Sequence, residues 1–266
     1  MAVLEMEFES KTLKRTVSFR AIIPYERFKP PYPTLYLLHG LGGNSSRWLH
    51  YTNLRILAES KGIAVILPSG ENAFYLDVLV KDGCLGDFGA YVGDELVRVT
   101  REMFPLSTKR EDTFISGMSM GGYGALRNGL KYRDTFGKIA VFAGAVHFYE
   151  YSREWVADEG NVMGELMNFG NLDETEKTDR NPRVLIEEIR KENEADGGNH
   201  FPKIYITCGV EDHLLNANRQ LAEGLKEAGA DVTYVPVPGR HDFFFCNENL
   251  PAVFDWLDAK SEPKAF

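Results

Sequence analysis

The chain has 266 residues, a length that doubly wound α/β enzymes commonly use for a single domain. Its 30 basic and 39 acidic residues give a formal net charge of -9, which disfavours nucleic acids and anionic membrane surfaces as partners and favours a neutral or cationic substrate. The 3 cysteines are widely spaced and indicate neither a disulfide framework nor a metal cluster.

Motifs for cofactors and metals are missing from the sequence, which contains no H-E-x-x-H, G-x-G-x-x-G or phosphate-loop pattern. We therefore expect no cofactor and no metal. The first residues lack the basic and apolar regions of a secretion signal, and no apolar run approaches the ~20 residues of a membrane span. These features predict a cytoplasmic protein without a membrane contact.

Short β-rich runs alternate with helical patterns along the chain. The predicted strands are 3–9, 16–23, 34–38, 63–67, 113–116, 139–143, 204–208 and 232–237. The predicted helices are 53–60, 93–103, 120–131, 214–228 and 250–259. The first two strands follow each other directly and predict an antiparallel pair. The alternation after them predicts one α/β domain over 1–266, with a mostly parallel sheet covered by helices on both faces.

One stretch, about 147–200, interrupts this alternation between two predicted strands. It is rich in charged residues, Gly and Asn, and it is too long for a plain connecting loop. We expect a cap-like insertion over the active site, because such insertions commonly shape a substrate entrance.

A candidate nucleophile lies in the sequence Gly-Met-Ser-Met-Gly at 117–121. This segment matches G-x-S-x-G and falls between the predicted strand 113–116 and the predicted helix 120–131. The flanking glycines allow a strained turn that exposes Ser119, and the helix behind the serine favours developing negative charge. Ser116 is the competing hydroxyl, but it lies within the strand.

A serine nucleophile needs a base, and in this architecture the base follows the acid along the chain. His213 and His241 satisfy that order. His213 directly follows Asp212, and adjacent side chains rarely face each other, so we predict His241 as the base. Glu211 and Asp212 both follow the strand 204–208, where the acid belongs, and either can fill the role on position alone.

The glycine-rich segment after the strand 34–38, His-Gly-Leu-Gly-Gly at 39–43, predicts half of an oxyanion hole. Glycines at this point allow a backbone N–H to point towards a substrate oxygen. We predict Leu41 and Met120 as the two donors and a structural role for His39. Asp242, beside the base, is expected to be a solvated charge.

Four segments together resemble the esterase D-like branch of the α/β-hydrolases, especially its bacterial tributyrin esterase and acetyl esterase members. They are 37–43, 117–125, 208–212 and 238–242. The resemblance implies the α/β-hydrolase fold and a Ser-His-Asp triad, and it favours Asp212 over Glu211 as the acid. It also implies that copies of the chain can associate as a homo-oligomer.

The resemblance implies a serine carboxylic ester hydrolase acting on short-chain acyl esters, acetyl to butyryl, through an acyl-enzyme intermediate. Trp48 and Phe243 are predicted to contact a small-molecule or carbohydrate ester. The alternatives are a feruloyl or acetylxylan esterase, an S-formylglutathione hydrolase and a catalytically silent binding scaffold. Formylglutathione hydrolases usually carry Thr-Cys after His-Gly-Leu, whereas Gly42 and Gly43 follow Leu41 here.

Overall fold

A single sheet of eight strands runs through the part of the chain that the computed structural model describes, residues 1–77, 86–146 and 177–265. The strands are β1 (Ala2–Ser10), β2 (Arg15–Ile23), β3 (Thr34–Leu38), β4 (Ala64–Pro68), β5 (Thr113–Met118), β6 (Lys138–Phe142), β7 (Lys203–Gly209) and β8 (Val232–Val237). Their order is β1-β2-β4-β3-β5-β6-β7-β8. β1 and β2 form the predicted antiparallel pair, and β2 is also antiparallel to β4. All pairs formed among β3 to β8 are parallel.

Helices cover both faces of this sheet. They are α1 (Arg47–Tyr51), α2 (Leu54–Lys61), α3 (Phe88–Ala90), α4 (Leu96–Met103), α5 (Met120–Lys131), α6 (Pro182–Asp196), α7 (Leu215–Glu227) and α8 (Phe243–Leu257). Buried residues of α4 to α7 belong to one apolar cluster, and buried residues of α1, α2 and α8 belong to a second.

The strand β3 shows why two apolar layers form. All five of its residues are buried, which is typical of a parallel strand covered on both sides. Tyr36 and Leu38 contribute to the first cluster, whereas Leu35 and Leu37 contribute to the second. Successive side chains point to opposite faces, so one apolar run supplies both cores. The predicted α/β architecture is confirmed.

The last helix begins earlier than the sequence predicts. α8 starts at Phe243 rather than at 250 and contains Pro251 in its interior. The Asp242 carboxylate accepts a hydrogen bond of 2.9 Å from the Phe245 N–H, so this residue is the helix N-cap rather than a solvated charge. The predicted start at 250 is therefore wrong, because the cap eight residues upstream sets the boundary.

Three helices, α1, α3 and α6, were not predicted from the sequence, and α4 was predicted too long. α1 has only five residues and no side-chain cap, so it lacks a periodic signal. Of the predicted helix 93–103 only Leu96–Met103 is α-helical, because its first residues belong to a π-helical turn, Tyr91–Glu95, that follows α3. Of the predicted insertion 147–200, residues 147–176 lie outside the described residues, and the remainder contains α6.

A cluster of charged residues fixes two chain segments to α5. The buried Arg127 contacts the Asp77 carboxylate at 3.0 Å and the Asp179 carboxylate at 2.9 Å, and Lys131 lies beside both acids. The backbone N–H of Phe88 also donates to the Leu76 carbonyl at 3.0 Å.

None of the helices in the described ranges is both long and apolar enough to cross a bilayer.

Candidate active site

Ser119 occupies a sharp turn between β5 and α5. Its φ of 57° is positive, a conformation that a residue with a side chain adopts rarely. A Cβ on Gly117 would lie 2.4 Å from backbone atoms of Gly121, and one on Gly121 would lie 2.5 Å from the Leu38 carbonyl oxygen. The turn is therefore possible only with glycines on both sides of the serine, as the sequence predicts.

The backbone of Ser119 is held by three hydrogen bonds. Its N–H donates to the Phe142 carbonyl at 3.0 Å, and its carbonyl accepts from the N–H groups of Tyr123 at 2.9 Å and Ala145 at 3.1 Å. A strained residue costs about 1–3 kcal/mol and persists only where its surroundings fix it. Here β6, α5 and the chain after β6 all contribute to that support.

His241 and Asp212 form a hydrogen-bonded pair. The distance between His241 Nδ1 and Asp212 Oδ2 is 2.7 Å, and the side chain of Asp212 is fully buried. The second carboxylate oxygen accepts from the Leu214 N–H at 2.8 Å. The carboxylate is thus fixed on both oxygens, and its bond to Nδ1 leaves Nε2 of the imidazole available for another group.

The neighbouring carboxylate, Glu211, has a different contact. It is exposed and accepts a hydrogen bond of 2.6 Å from the Gly239 N–H, so it supports the turn that precedes His241. His213 differs from the sequence expectation, because its Nδ1 lies 3.4 Å from Asp212 Oδ1 and its ring lies 4.9 Å from that of His241. Adjacent side chains do approach each other in this tight turn.

A cavity of about 550 Å³ contains these groups. Its lining residues are Gly40, Leu41, Arg47, Tyr51, Met118, Ser119, His213, His241, Asp242, Phe243 and Phe244. Ser119 and His241 therefore share one cavity, and the buried Asp212 lies behind His241. Of the two predicted substrate contacts, Phe243 lines the cavity and Trp48 does not.

Trp48 lies behind the cavity wall, next to the lining residue Phe243. It is 1% exposed, its ring nitrogen donates to the Leu38 carbonyl at 2.9 Å, and its ring packs 5.2 Å from that of Phe243. This position makes Trp48 a support for the cavity wall and for α1. Its aromatic character alone could not distinguish a wall residue from the residue behind it.

The glycine-rich segment after β3 approaches Ser119 closely. A Cβ on Gly40 would lie 3.6 Å from the Ser119 Cβ. The Leu41 N–H has no acceptor among the described residues, and Met120 is the first residue of α5, where an N–H has no intrahelical acceptor. Leu41 lines the cavity and Met120 directly follows Ser119, and neither N–H is used by another group among the described residues.

His39 supports this segment rather than facing the cavity. Its Nε2 accepts from the Gly70 N–H at 2.9 Å, so the proton of the neutral ring lies on Nδ1, which donates to the Gly40 carbonyl at 2.8 Å. Burial lowers the pKa of His39, because a charge on the buried ring would lose its solvation. The predicted structural role agrees with these contacts.

Other reactive groups near the site are poorly suited to nucleophilic chemistry. Burial raises the pKa of the Cys208 thiol to about 12, and burial likewise raises that of Cys246. Both cysteines are free and buried, whereas Cys84 lies outside the described residues. Asp212, His213 and His241 offer three potential metal-ligand atoms within 4.8 Å of one another, but two of these groups are already bonded to each other.

The strand order and the turn at Ser119 define the α/β-hydrolase fold. Residues 10–252 match the model of the family described as "Putative esterase", and the chain belongs to this esterase family. It is a carboxylic ester hydrolase, and the family resemblance inferred from the sequence is confirmed.

Individual relatives agree with this assignment. An acetyl esterase of Caldicellulosiruptor saccharolyticus is 36% identical over 274 residues, covering 98% of this chain and 100% of that protein. The solved S-formylglutathione hydrolase of Staphylococcus aureus is 25% identical with a TM-score of 0.81, covering 96% of this chain and 98% of that one. A ferulic acid esterase shares the fold at 18% identity and a TM-score of 0.75, covering 96% of this chain and 97% of that one.

Proposed function

We propose that this esterase hydrolyses short-chain acyl esters, from acetyl to butyryl, with Ser119 as nucleophile, His241 as base and Asp212 as the acid that orients the base. The observation that carries the proposal is that Ser119, on its glycine-flanked turn, lines the same cavity as the imidazole bonded to Asp212. The 36% identity to an acetyl esterase over almost the whole chain supports short acyl groups.

In the first half of the proposed reaction, His241 Nε2 removes the proton from Ser119 Oγ, which attacks the ester carbonyl carbon. The Leu41 and Met120 N–H groups stabilise the resulting oxyanion. His241 then gives the proton to the leaving alcohol, and the acyl group stays on the serine. Asp212 keeps the imidazole in the tautomer that this transfer requires.

In the second half, His241 removes a proton from water, and the oxygen of that water attacks the acyl-enzyme carbonyl. The same two N–H groups stabilise the second oxyanion. Collapse of this intermediate returns the proton to Ser119 and releases the carboxylic acid.

A panel of nitrophenyl acetate, butyrate and octanoate, with methyl ferulate and S-formylglutathione beside it, tests the substrate class. We expect the highest kcat/KM for acetate or butyrate and covalent labelling by a fluorophosphonate. A higher kcat/KM for octanoate or S-formylglutathione would contradict the proposed acyl preference or ester class.

A feruloyl ester, as in feruloylated polysaccharide, is a second candidate, because it carries an aromatic ring on its acyl part. The observation in its favour is the aromatic wall of the cavity, formed by Tyr51, Phe243 and Phe244, which lies beside Ser119. Offset or edge contacts with such rings favour a flat aryl group. Preference for methyl ferulate over nitrophenyl butyrate would select this candidate.

The stretch 147–200 is proposed to set the acyl preference as a cap-like insertion of the single domain 1–266. This proposal is supported by where the stretch begins. The chain between β6 and the stretch passes beside the nucleophile, because the Ala145 N–H donates to the Ser119 carbonyl. Shortening the stretch should change the butyrate-to-octanoate ratio while fluorophosphonate labelling persists. An unchanged ratio in a folded protein would contradict this role.

A further inference from the structure

Arg47 carries the only permanent positive charge among the described residues that line the active-site cavity. Its guanidinium carbon lies 4.6 Å from the ring centre of Tyr51 and 5.3 Å from that of Phe243. The two rings themselves are 5.6 Å apart. The cation is therefore held against two aromatic groups of the cavity wall.

The position of this cation is fixed by its neighbour in the chain. Trp48 is buried and bonded through its ring nitrogen to the end of β3, so α1 is attached to the sheet directly beside Arg47. The Asn53 N–H also donates to the Asn247 side chain of α8 at 2.7 Å. Asn53 lies between α1 and α2, so this bond holds the chain after α1 against α8, and the ring contact between Trp48 and Phe243 holds α1 itself there. The guanidinium contacts one ring from each of these two helices.

Arg47 has no carboxylate partner in the described ranges. Other arginines do, including Arg15 with Glu71 at 2.6 Å and Arg133 with Glu192 at 2.6 Å. Asp242 lines the same cavity, but its carboxylate caps α8. Stacking uses the face of a guanidinium and leaves the N–H groups in its plane free to bind an anion.

The net charge of -9 opposes an anionic ligand at long range, so the overall charge favours a neutral or cationic substrate. Within the cavity, however, Arg47 supplies a local positive charge, and the one lining carboxylate, Asp242, is engaged as the cap of α8. Arginine matches a carboxylate in geometry and donates two parallel hydrogen bonds to it. An isolated arginine in the cavity of an acidic protein is thus suited to selecting an anion after the substrate has entered.

We propose that Arg47 is a specificity-determining residue that binds a carboxylate on the ester substrate, so that the preferred substrates carry a negative charge on their acyl or alcohol part. This inference rests on the proposed function, because it takes the cavity at Ser119 as the reaction site. The aromatic rings of Tyr51 and Phe243 hold the guanidinium in place and exclude water from one side of the ion pair.

Two pairs of substrates test whether the bound carboxylate belongs to the acyl part or to the alcohol part of the ester. Monomethyl succinate and dimethyl succinate differ in charge on the acyl part, and 3-acetoxybenzoate and its methyl ester differ on the alcohol part. Titration of the released acid at constant pH gives kcat/KM for each. The variants are Arg47→Met, which removes the charge but keeps an unbranched side chain, and the matched control Arg55→Met, at an exposed position of α2 outside the cavity.

In the native protein we expect the charged member of at least one pair to be preferred by roughly tenfold or more, the scale of a charge-assisted hydrogen bond. Arg47→Met should remove this preference mainly through KM, whereas Arg55→Met should keep it. A preference that survives in Arg47→Met, or no preference in either pair while the neutral esters are hydrolysed, overturns the role of Arg47. Failure to hydrolyse any ester, with no fluorophosphonate labelling, overturns the proposed function itself.

Discussion

The Oδ2 atom of Asp212 lies 2.7 Å from His241 Nδ1, whereas the carboxylate of the preceding Glu211 accepts from the backbone N–H of Gly239. Two consecutive acids therefore support the same histidine in different ways. One contacts its ring, and the other holds the turn before it. This difference gives the two acids separable mutational effects.

We predict that Asp212→Asn lowers kcat for a nitrophenyl ester by at least roughly a hundredfold, the scale of general-base catalysis. The asparagine keeps the size of the side chain but can bind the imidazole in the wrong tautomer. Glu211→Gln should have little effect, because its amide oxygen can still accept from Gly239. A greater loss in Glu211→Gln, in two variants with native thermal unfolding, would make Glu211 the acid.

Ser119→Ala should abolish ester hydrolysis and fluorophosphonate labelling without unfolding the protein. The matched control is Ser116→Ala, since Ser116 is buried in β5 and its hydroxyl has no hydrogen-bond partner in the described structure. Removing an unpaired buried hydroxyl is close to neutral for stability, so this control should remain active. Labelling that persists in Ser119→Ala would assign the nucleophile elsewhere.

Gly121→Ala should inactivate the protein and destabilise it by several kcal/mol, because the new Cβ would lie 2.5 Å from the Leu38 carbonyl oxygen. Gly224→Ala is the contrasting change in α7, where an added Cβ meets nothing within 4 Å. It should stabilise by about 0.5–1 kcal/mol through lower chain entropy and higher helix propensity. Urea unfolding measures both, and an active Gly121→Ala protein would contradict the packing of the turn.

Asp179 should contribute pH-dependent stability. Its burial alone would raise its pKa, but the charge of Arg127 and the hydrogen bond from Lys131 outweigh burial and lower the pKa. A carboxyl with a lowered pKa in the folded state stabilises above the ordinary Asp pKa of about 3.9 and loses this effect as the pH falls through the folded-state value.

Asp179→Asn should therefore lower the free energy of unfolding by about 1 kcal/mol at neutral pH, a figure reduced for the partial exposure of Asp179. The difference from the native protein should shrink in acid below about pH 4. Asp231→Asn serves as the control, because that exposed acid lies 3.7 Å from Lys203. Equal losses at neutral and acid pH would contradict a charge effect.

The nucleophile turn could be predicted from the sequence, because a reactive residue type stands at a chain position that the chemistry requires. The limits of β3, β8 and α5 agree with the prediction, and Ser119 lies at the predicted strand-to-helix turn. Glycines that allow a strained turn leave a recognisable pattern, because any side chain in their place would meet the backbone. The fold could also be predicted, because buried parallel strands appear in the sequence as short apolar runs.

The cavity wall could not be predicted in the same way. Arg47 and Tyr51 lie on a five-residue helix without periodicity, and they meet Phe243 only because α1 and α8 pack together. Such contacts depend on how distant segments pack. The tight turn that brings His213 beside Asp212 is also a property of the folded backbone, which the spacing of the two residues does not reveal.

The antiparallel bridge between Asp77 and Asp87, next to the bond from the Phe88 N–H to the Leu76 carbonyl, has a consequence for variation among related proteins. These contacts, together with the ion pair between Arg127 and Asp77, fix the two ends of the connection that joins Asp77 to Asp87. Doubling the length of a flexible loop with fixed ends costs only about 0.6 kcal/mol. Because both ends are fixed independently of what joins them, a change in the length of chain between Asp77 and Asp87 should leave α5, and the nucleophile at its start, in place.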